Sequence, residues 1–297
     1  VKIFLTILTA SVLAAPAFGA PYDQVKARLA NVVAQNPYLV SRIVIGINDQ
    51  GVEIEGVRIG ATFAGKDGAV NHLVVGAHHG NEQKSTDVAL AFIDEMVAAK
   101  RAGTGLDRKI SSTVLHVIPV LNIGGYNANR RQEYDAGGRS FDPNRDYPDP
   151  CGNSSTFNLA STDALAKYLI AEDIVGAVTI HGYIGTFTYP WGTYTNQTAT
   201  PDDNVFRNVT TQAARVNRYR TGTHADVIYP TVGAFEDWAY HSMGVWVALL
   251  EIANNPNVAQ DARSLVSYFA GIPSERSQYH EHLGSCRKAI GPVLARP

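Results

Sequence analysis

"HLVVGAHHGNEQKST", residues 72–86, runs from an apolar segment through a polar turn into the start of a helix. The apolar part, His72–Gly76 with Ala77, reads as a buried strand. Residues 86–100 place Val88, Phe92, Ile93, Met96 and Val97 on one face at helical spacing, with Ser85 or Thr86 as the N-cap. A strand that passes directly into an amphipathic helix is the repeating unit of α/β architecture. His79 and Glu82 lie in the turn between the two. A histidine and a glutamate three residues apart form half of a metal site at most, so the remaining ligands must come from elsewhere in the chain.

Working outward, further strand-like runs appear at 43–47 ("IVIGI"), 113–121 ("TVLHVIPVL"), 174–180 ("IVGAVTI") and 245–250 ("VWVALL"). Helical patterns fall at 161–172, 203–217, 261–270 and 275–290. Strands alternating with helices predict an α/β fold, a mixed and mostly parallel twisted sheet with helices on both faces. The stretch 122–158 is rich in Asn, Gly, Arg, Asp and Pro. It is too long for an ordinary connector and reads as a functional loop. No linker divides the chain, so residues 21–297 are expected to form one domain.

Residues 1–20 differ from the rest. Lys2 precedes the apolar run "IFLTILTASVLAA" and the small-residue stretch "PAFGA". That order predicts a signal peptide, cleaved between Ala17 and Ala20, and a secreted or periplasmic protein. Export to an oxidising compartment makes a Cys151–Cys286 disulfide an expectation. The formal net charge is −2 with no block of like charge, which excludes a nucleic-acid or anionic-membrane footprint.

Polar residues gather at strand ends. His79 and Glu82 follow one strand, His181 follows "AVTI", and Glu251 closes "VALL". Ligands in open α/β sheets bind at the carboxyl ends of strands. Two histidines and one glutamate, with a fourth position left open, are the ligand set of a catalytic zinc site. Five separated blocks carry a resemblance: "HGNE" (79–82), "NRR" (129–131), "FDPNRDY" (141–147), "IHGYIGTFTYPWG" (180–192) and "IYPTVGAFEDWAYHSMGVWVALLE" (228–251). On these the chain resembles the zinc metallocarboxypeptidases of the carboxypeptidase A type. Tyr229 and Glu251 keep that family's spacing of 22 residues.

The resemblance implies roles for single residues. His79, Glu82 and His181 match the ligands of one Zn²⁺. Glu251 matches the general base, a carboxylate that takes a proton from the attacking water and returns it to the leaving amine. Arg130 matches the arginine beside the scissile carbonyl, although Arg131 follows directly and either could serve. A fixed cation there stabilises a developing oxyanion. Asn144 and Arg145 match the pair that grips a free C-terminal carboxylate, a bidentate contact suited to arginine. Tyr229 matches the mobile tyrosine and Tyr183 a subsite tyrosine. Asp142 matches a carboxylate bonded to the first zinc histidine. Glu236, seven residues after Tyr229, matches the position that lines the pocket for the departing side chain, with Gly192, Ile228, Thr231 and Leu249 as uncharged neighbours. A carboxylate there favours a basic C-terminal residue.

The implied function is a secreted zinc exopeptidase that hydrolyses the C-terminal peptide bond of peptides. The alternative is a hydrolase of the same superfamily acting on peptidoglycan stem peptides or acylated amino acids. One departure feeds that alternative: the family's first motif usually carries arginine between its ligands, where this chain has Gly80-Asn81. No activation prodomain is expected ahead of the motif. His72, His78, His116, His224 and His241 have no motif partner and read as structural or surface residues. The "HEH" at 280–282 lacks His-Glu-x-x-His spacing and reads as a helix face.

Overall fold

The computed structural model describes residues 21–60, 69–103, 110, 112–150 and 157–280. The leader-like stretch 1–20 and both cysteines, Cys151 and Cys286, lie outside the described residues. Among those described, eight strands form one sheet in the order β1-β2-β4-β3-β7-β10-β8-β9. These are β1 (Val40–Ile47), β2 (Glu53–Ile59), β3 (Asn71–Gly76), β4 (Val114–Ile118), β7 (Ile174–Gly182), β8 (Thr186–Tyr189), β9 (Arg220–Thr223) and β10 (Trp246–Ile252). The central run β4-β3-β7-β10 is parallel. Strands β1 and β2 join antiparallel at one side, and β8 pairs antiparallel with β10 at the other. This is the mixed, mostly parallel sheet that the alternation of elements predicts.

The central strands are buried along their length. Every residue of β4 and β10 is buried, as is every residue of β7 except Gly182. That explains their continuous apolar runs: a strand covered on both faces has no solvent side to mark with polar residues. Helices flank the sheet. Helix α2 (Gln83–Ala102) packs with α8 (Val258–Gly271), against which α5 (Asp203–Asn217) also packs. It buries Val88, Phe92, Ile93 and Met96 completely, at about 1.5–3 kcal/mol for each large side chain. Gly103, in the left-handed region at φ 64°, ends it.

Three local expectations change. Ser85 and Thr86 do not cap α2, which begins at Gln83. Their hydroxyls turn into the protein instead: Ser85 Oγ accepts from the Ala77 amide and Thr86 Oγ1 donates to the Pro119 carbonyl. Ser85 thereby pins the end of the segment that carries His79, and Thr86 the chain leaving Ile118 of the neighbouring strand. The helix expected at 275–290 is absent over its described part, 275–280. There the backbone is spent on long-range bonds, Glu275 accepting from the Trp246 indole and the Ser277 amide donating to Gly244. Helix α1 (Pro21–Gln35) and strand β2, not expected, extend the domain at its first residues. Buried Tyr22 ties them together, donating its hydroxyl to the Glu53 carbonyl and accepting from the Glu55 amide.

The described part of the loop at 119–159 is built rather than slack. It contains α3 (Ile123–Ala128), the hairpin β5 (Glu133–Tyr134) and β6 (Ser140–Phe141), and a 3-10 turn at Pro143–Arg145. Asp146 braces its far end, accepting from the amides of Asn158 and Leu159 and the Thr162 hydroxyl, just ahead of α4 (Ala160–Ala171). Helix α3 also explains Gly80. A Cβ at residue 80 would lie 2.0 Å from the Gly125 carbonyl carbon and 2.2 Å from the Tyr126 nitrogen. Only glycine lets the ligand turn and α3 approach this closely. Gly80→Ala is therefore expected to lower stability by about 1–3 kcal/mol or more, as overpacking does, read as a drop in the urea midpoint. Because the displaced segment carries His79 and Glu82, zinc affinity should fall with it. An alanine variant with unchanged midpoint and affinity would show that the contact relaxes freely.

Candidate metal centre and active site

The register of the sheet assembles the site. β3, β7 and β10 are adjacent and parallel, so their carboxyl ends open on the same edge. Glu251 of β10 lies directly beside His181 of β7 in the ladder. Gly76, the last residue of β3, pairs with Ile180, one residue before His181. The turn after β3 then carries His79 and Glu82 to the same point.

There the three side chains converge. Their ligating atoms all lie within 4.8 Å of one another, and all three residues are buried. His79 Nδ1 is 2.9 Å from Glu82 Oε1, and His181 Nδ1 is 3.1 Å from Glu82 Oε2. The two Nδ1 atoms are 3.1 Å apart. Asp142 Oδ1 accepts from His79 Nε2 at 2.9 Å. That bond places the His79 proton on Nε2 and turns the Nδ1 lone pair inward. The two inward imidazole nitrogens and the Glu82 carboxylate are the groups that would hold a divalent cation. The donor set fits one zinc ion.

Charges around the cluster are matched. Burial alone raises the Glu82 carboxyl, but the two imidazoles outweigh it and hold it well below the usual carboxylate range. Asp142 is likewise held low, against burial, by the hydrogen bond and charge of His79 and by the guanidinium groups of Arg145 and Arg131. Glu251 behaves oppositely. Burial pushes its carboxyl up to about 7, with His181 opposing and Glu82 reinforcing the rise. A carboxyl in that range can both take up and give back a proton near neutrality.

The two neighbouring arginines point apart. Arg131, not Arg130, faces the cluster: its Nε donates to Asp142 Oδ2 at 3.0 Å and its Nη1 lies 3.7 Å from Glu82 Oε1. Arg130 turns outward, exposed, onto the Tyr134 ring and hydroxyl. The two neighbours were indistinguishable in sequence, because which one faces inward depends on how α3 ends. There Asn129 adopts a left-handed conformation at φ 50° and redirects the chain.

Asp142 also caps the turn that follows, accepting from the Asn144 amide. Asn144 is buried, its Oδ1 taking the Phe235 amide and its Nδ2 reaching Glu236. Arg145 is half-buried, and among the described residues no carboxylate pairs with its guanidinium, which donates to the Asn144 carbonyl. Tyr229 is 49% exposed at the mouth, with its ring near His224. Tyr183 reaches toward the Asn81 carbonyl, 3.5 Å away. Glu236, at the start of α7 (Phe235–Met243), is buried and accepts from Thr179. Two histidines set aside in the sequence lie at the site. His78 stacks on His181 and bonds the Tyr147 hydroxyl at 3.1 Å. His224 lies beneath Tyr229. Neither belongs to a motif, so only the packing finds them.

The geometry predicts that purified protein binds one zinc per chain. Asp142→Asn should weaken that affinity about 10–100-fold, the usual effect of losing a carboxylate that orients a ligand histidine. Competition with a chromogenic chelator measures it. Unchanged affinity would mean that Asp142 does not orient His79.

Comparison with known proteins agrees with this architecture. The zinc carboxypeptidase family model matches residues 25–260. Carboxypeptidase M of Mus musculus is 28% identical over 200 residues, which cover 59% of this chain and 44% of that protein. Carboxypeptidase B of Homo sapiens is 25% identical over 252 residues, covering 74% of this chain and 59% of that protein. The chain thus spans about half the length of these curated relatives. Among solved structures, bovine thrombin-activatable fibrinolysis inhibitor, in complex with a tick carboxypeptidase inhibitor, superposes at a TM-score of 0.69 with 15% identity, over 84% of this chain and 94% of that one. Carboxypeptidase A from Helicoverpa armigera gives 0.67 with 16% identity, over 84% and 71%. With the family model covering most of its length and a His-Glu-His cluster at the expected strand ends, this chain belongs to the zinc carboxypeptidase family.

Proposed function

We propose that this chain is an exported zinc exopeptidase that removes single residues from the free C-terminus of peptides and prefers basic ones. The observation that carries the reading is the joint placement of the His79–Glu82–His181 cluster, buried Glu251 beside it in the β-ladder, and Arg131 and Arg145 on the facing loop. Residues 1–20 support export by their leader pattern alone.

Zinc bound to the three ligands would act as a Lewis acid on the scissile carbonyl and on the attacking water. The remaining work falls to the chain. Glu251 takes the water proton and delivers it to the leaving amine. Arg131, held by Asp142, presents a fixed cation where negative charge develops on the carbonyl oxygen. Arg145, free of internal carboxylate partners among the described residues, binds the terminal carboxylate. Tyr229 closes from the mouth, and Tyr183 lines the approach. Glu236 supplies negative charge under the departing side chain.

Several outcomes test this. N-blocked dipeptides with a free C-terminus should be cleaved and their amides spared, and a chelator should stop the reaction. Equal cleavage of amides would sink the exopeptidase reading. Glu251→Gln should lower kcat by at least ~10²-fold with zinc retained. Arg131→Ala should cost ~10²–10³-fold in kcat, the effect of removing one oxyanion partner, whereas Arg130→Ala should stay within a few-fold. The reverse order would restore the role to Arg130. Glu236→Ile should remove the basic preference, seen as a change in kcat/KM ranking among substrates ending in Arg, Lys, Phe and Leu.

A further inference from the structure

The hairpin of β5 and β6 lies between two residues of the site. Arg131 precedes it and Asp142 follows it, and the Arg131 guanidinium bonds the Asp142 carboxylate across its open end. Its ladder has two rungs only, Glu133 opposite Phe141 and Tyr134 opposite Ser140. An isolated two-stranded hairpin is marginally stable at best in water, and one this short needs support from what it packs on.

Glu133 makes that contact. It opens β5, and its partner in the ladder, Phe141, adjoins Asp142. Its side chain is fully buried. Oε2 accepts from the Ser161 hydroxyl at 2.5 Å, in the first turn of α4. Oε1 has no hydrogen-bond partner among the described residues. The turn after β1 also braces the hairpin. Asp49 accepts from the Ala136 amide with one oxygen and from the Ala160 amide, at the start of α4, with the other. Gln50 donates to the Tyr134 carbonyl.

The charges that act on Glu133 are negative: Asp49 of that turn and Asp146 ahead of α4. The buried Tyr147 hydroxyl feels the Glu133 charge in turn. The cations of the hairpin are engaged elsewhere, Arg131 with Asp142 and Arg139 with Asp135. An ionised carboxylate is far more costly to bury in such a place than the neutral acid. Burial accordingly pushes the Glu133 carboxyl up to about 7, with the Ser161 bond opposing and the two aspartates reinforcing the rise. We propose that Glu133 is a positioning residue of the active site: its neutral acid docks the hairpin on α4 and so holds Arg131 and Asp142 at the metal cluster, and loss of the proton loosens both. The stabilisation is complete below the ordinary glutamate value of 4.5 and is lost as pH rises through about 7. This role rests on the proposed exopeptidase reading only where kcat is the readout.

Glu133→Gln keeps the shape and an acceptor for Ser161 but has no proton to lose. Zinc affinity, by chelator competition, and kcat are measured on wild type and this variant from about pH 6 to about pH 8. Titration of His79, His181 and Glu251 acts on both proteins alike and cancels in their ratio. The variant-to-wild-type ratio of zinc affinity should rise several-fold across that range, within the roughly tenfold that one group titrating near 7 allows, and the kcat ratio should rise with it. Glu133→Ala should lose affinity at every pH. A ratio that stays level with pH, or an alanine variant equal to the glutamine one, overturns the proposal. On wild-type protein alone, protection of the Ala136 amide from hydrogen exchange, corrected for intrinsic rates, should fall over the same range; unchanged protection overturns the proposal too. A zinc-affinity ratio that rises with pH, with no free-acid peptide cleaved by either protein, would uphold the positioning role and remove the exopeptidase.

Discussion

The carboxylate of Asp142 joins the parts of this site. One oxygen takes the Nε2 proton of His79 and the amide of Asn144, and the other takes the Arg131 guanidinium. One side chain therefore sets the tautomer of a metal ligand, starts the turn that carries Asn144 and Arg145, and aims the cation that faces the metal cluster. Such a hub tolerates burial only because it is fully bonded; an unpartnered carboxylate in the same place would neutralise instead. Glu251 shows that other outcome a short distance away. It is buried with weaker compensation, its carboxyl rises to about 7, and it gains the proton affinity that a base needs.

The scaffold explains why these groups can be held so closely. The ligands sit on the ends of fully buried parallel strands, whose positions are fixed by ladder bonds on both sides. The facing loop has no sheet to hold it. Its order comes from hydrogen-bonded side chains: half-buried Asp142 at its middle, buried Asp146 at its end and buried Asn122, which caps α3 by accepting from the Gly125 amide. Gly80 lets the ligand turn meet α3 of the loop backbone to backbone. This also gives a physical sense to "HGNE" in place of a motif with arginine between the ligands. That contact leaves no room for a side chain at residue 80, and Arg131 faces Glu82 from the loop side.

Much of this was legible in the sequence because it depends on period and spacing. Apolar runs at 43–47, 174–180 and 245–250 and the helical faces at 86–100 and 203–217 reappear as elements, since burial on both faces or on one stripe writes itself directly into residue type. The gathering of His79, Glu82, His181 and Glu251 was legible too, because each lies at or just after the carboxyl end of a strand and parallel strands end together. Helix α1 and strand β2 were less visible. α1 alternates charged and apolar residues without a cap signal, and β2 mixes Glu, Gly and Arg into its apolar positions because it lies near the sheet's edge.

The sequence by itself determined the fold class and the gathering of His79, Glu82, His181 and Glu251 at one edge of the sheet, because the ends of adjacent parallel strands leave those residues one place to go. It could not choose between Arg130 and Arg131, nor say what His78 and His224 touch, nor find that Ser85 and Thr86 turn inward to hold strand ends. Those are decided by a single left-handed residue after α3 and by the approach of chain segments far apart in sequence. Direction and proximity of that kind are properties of the packed molecule, and residue spacing along the chain does not encode them.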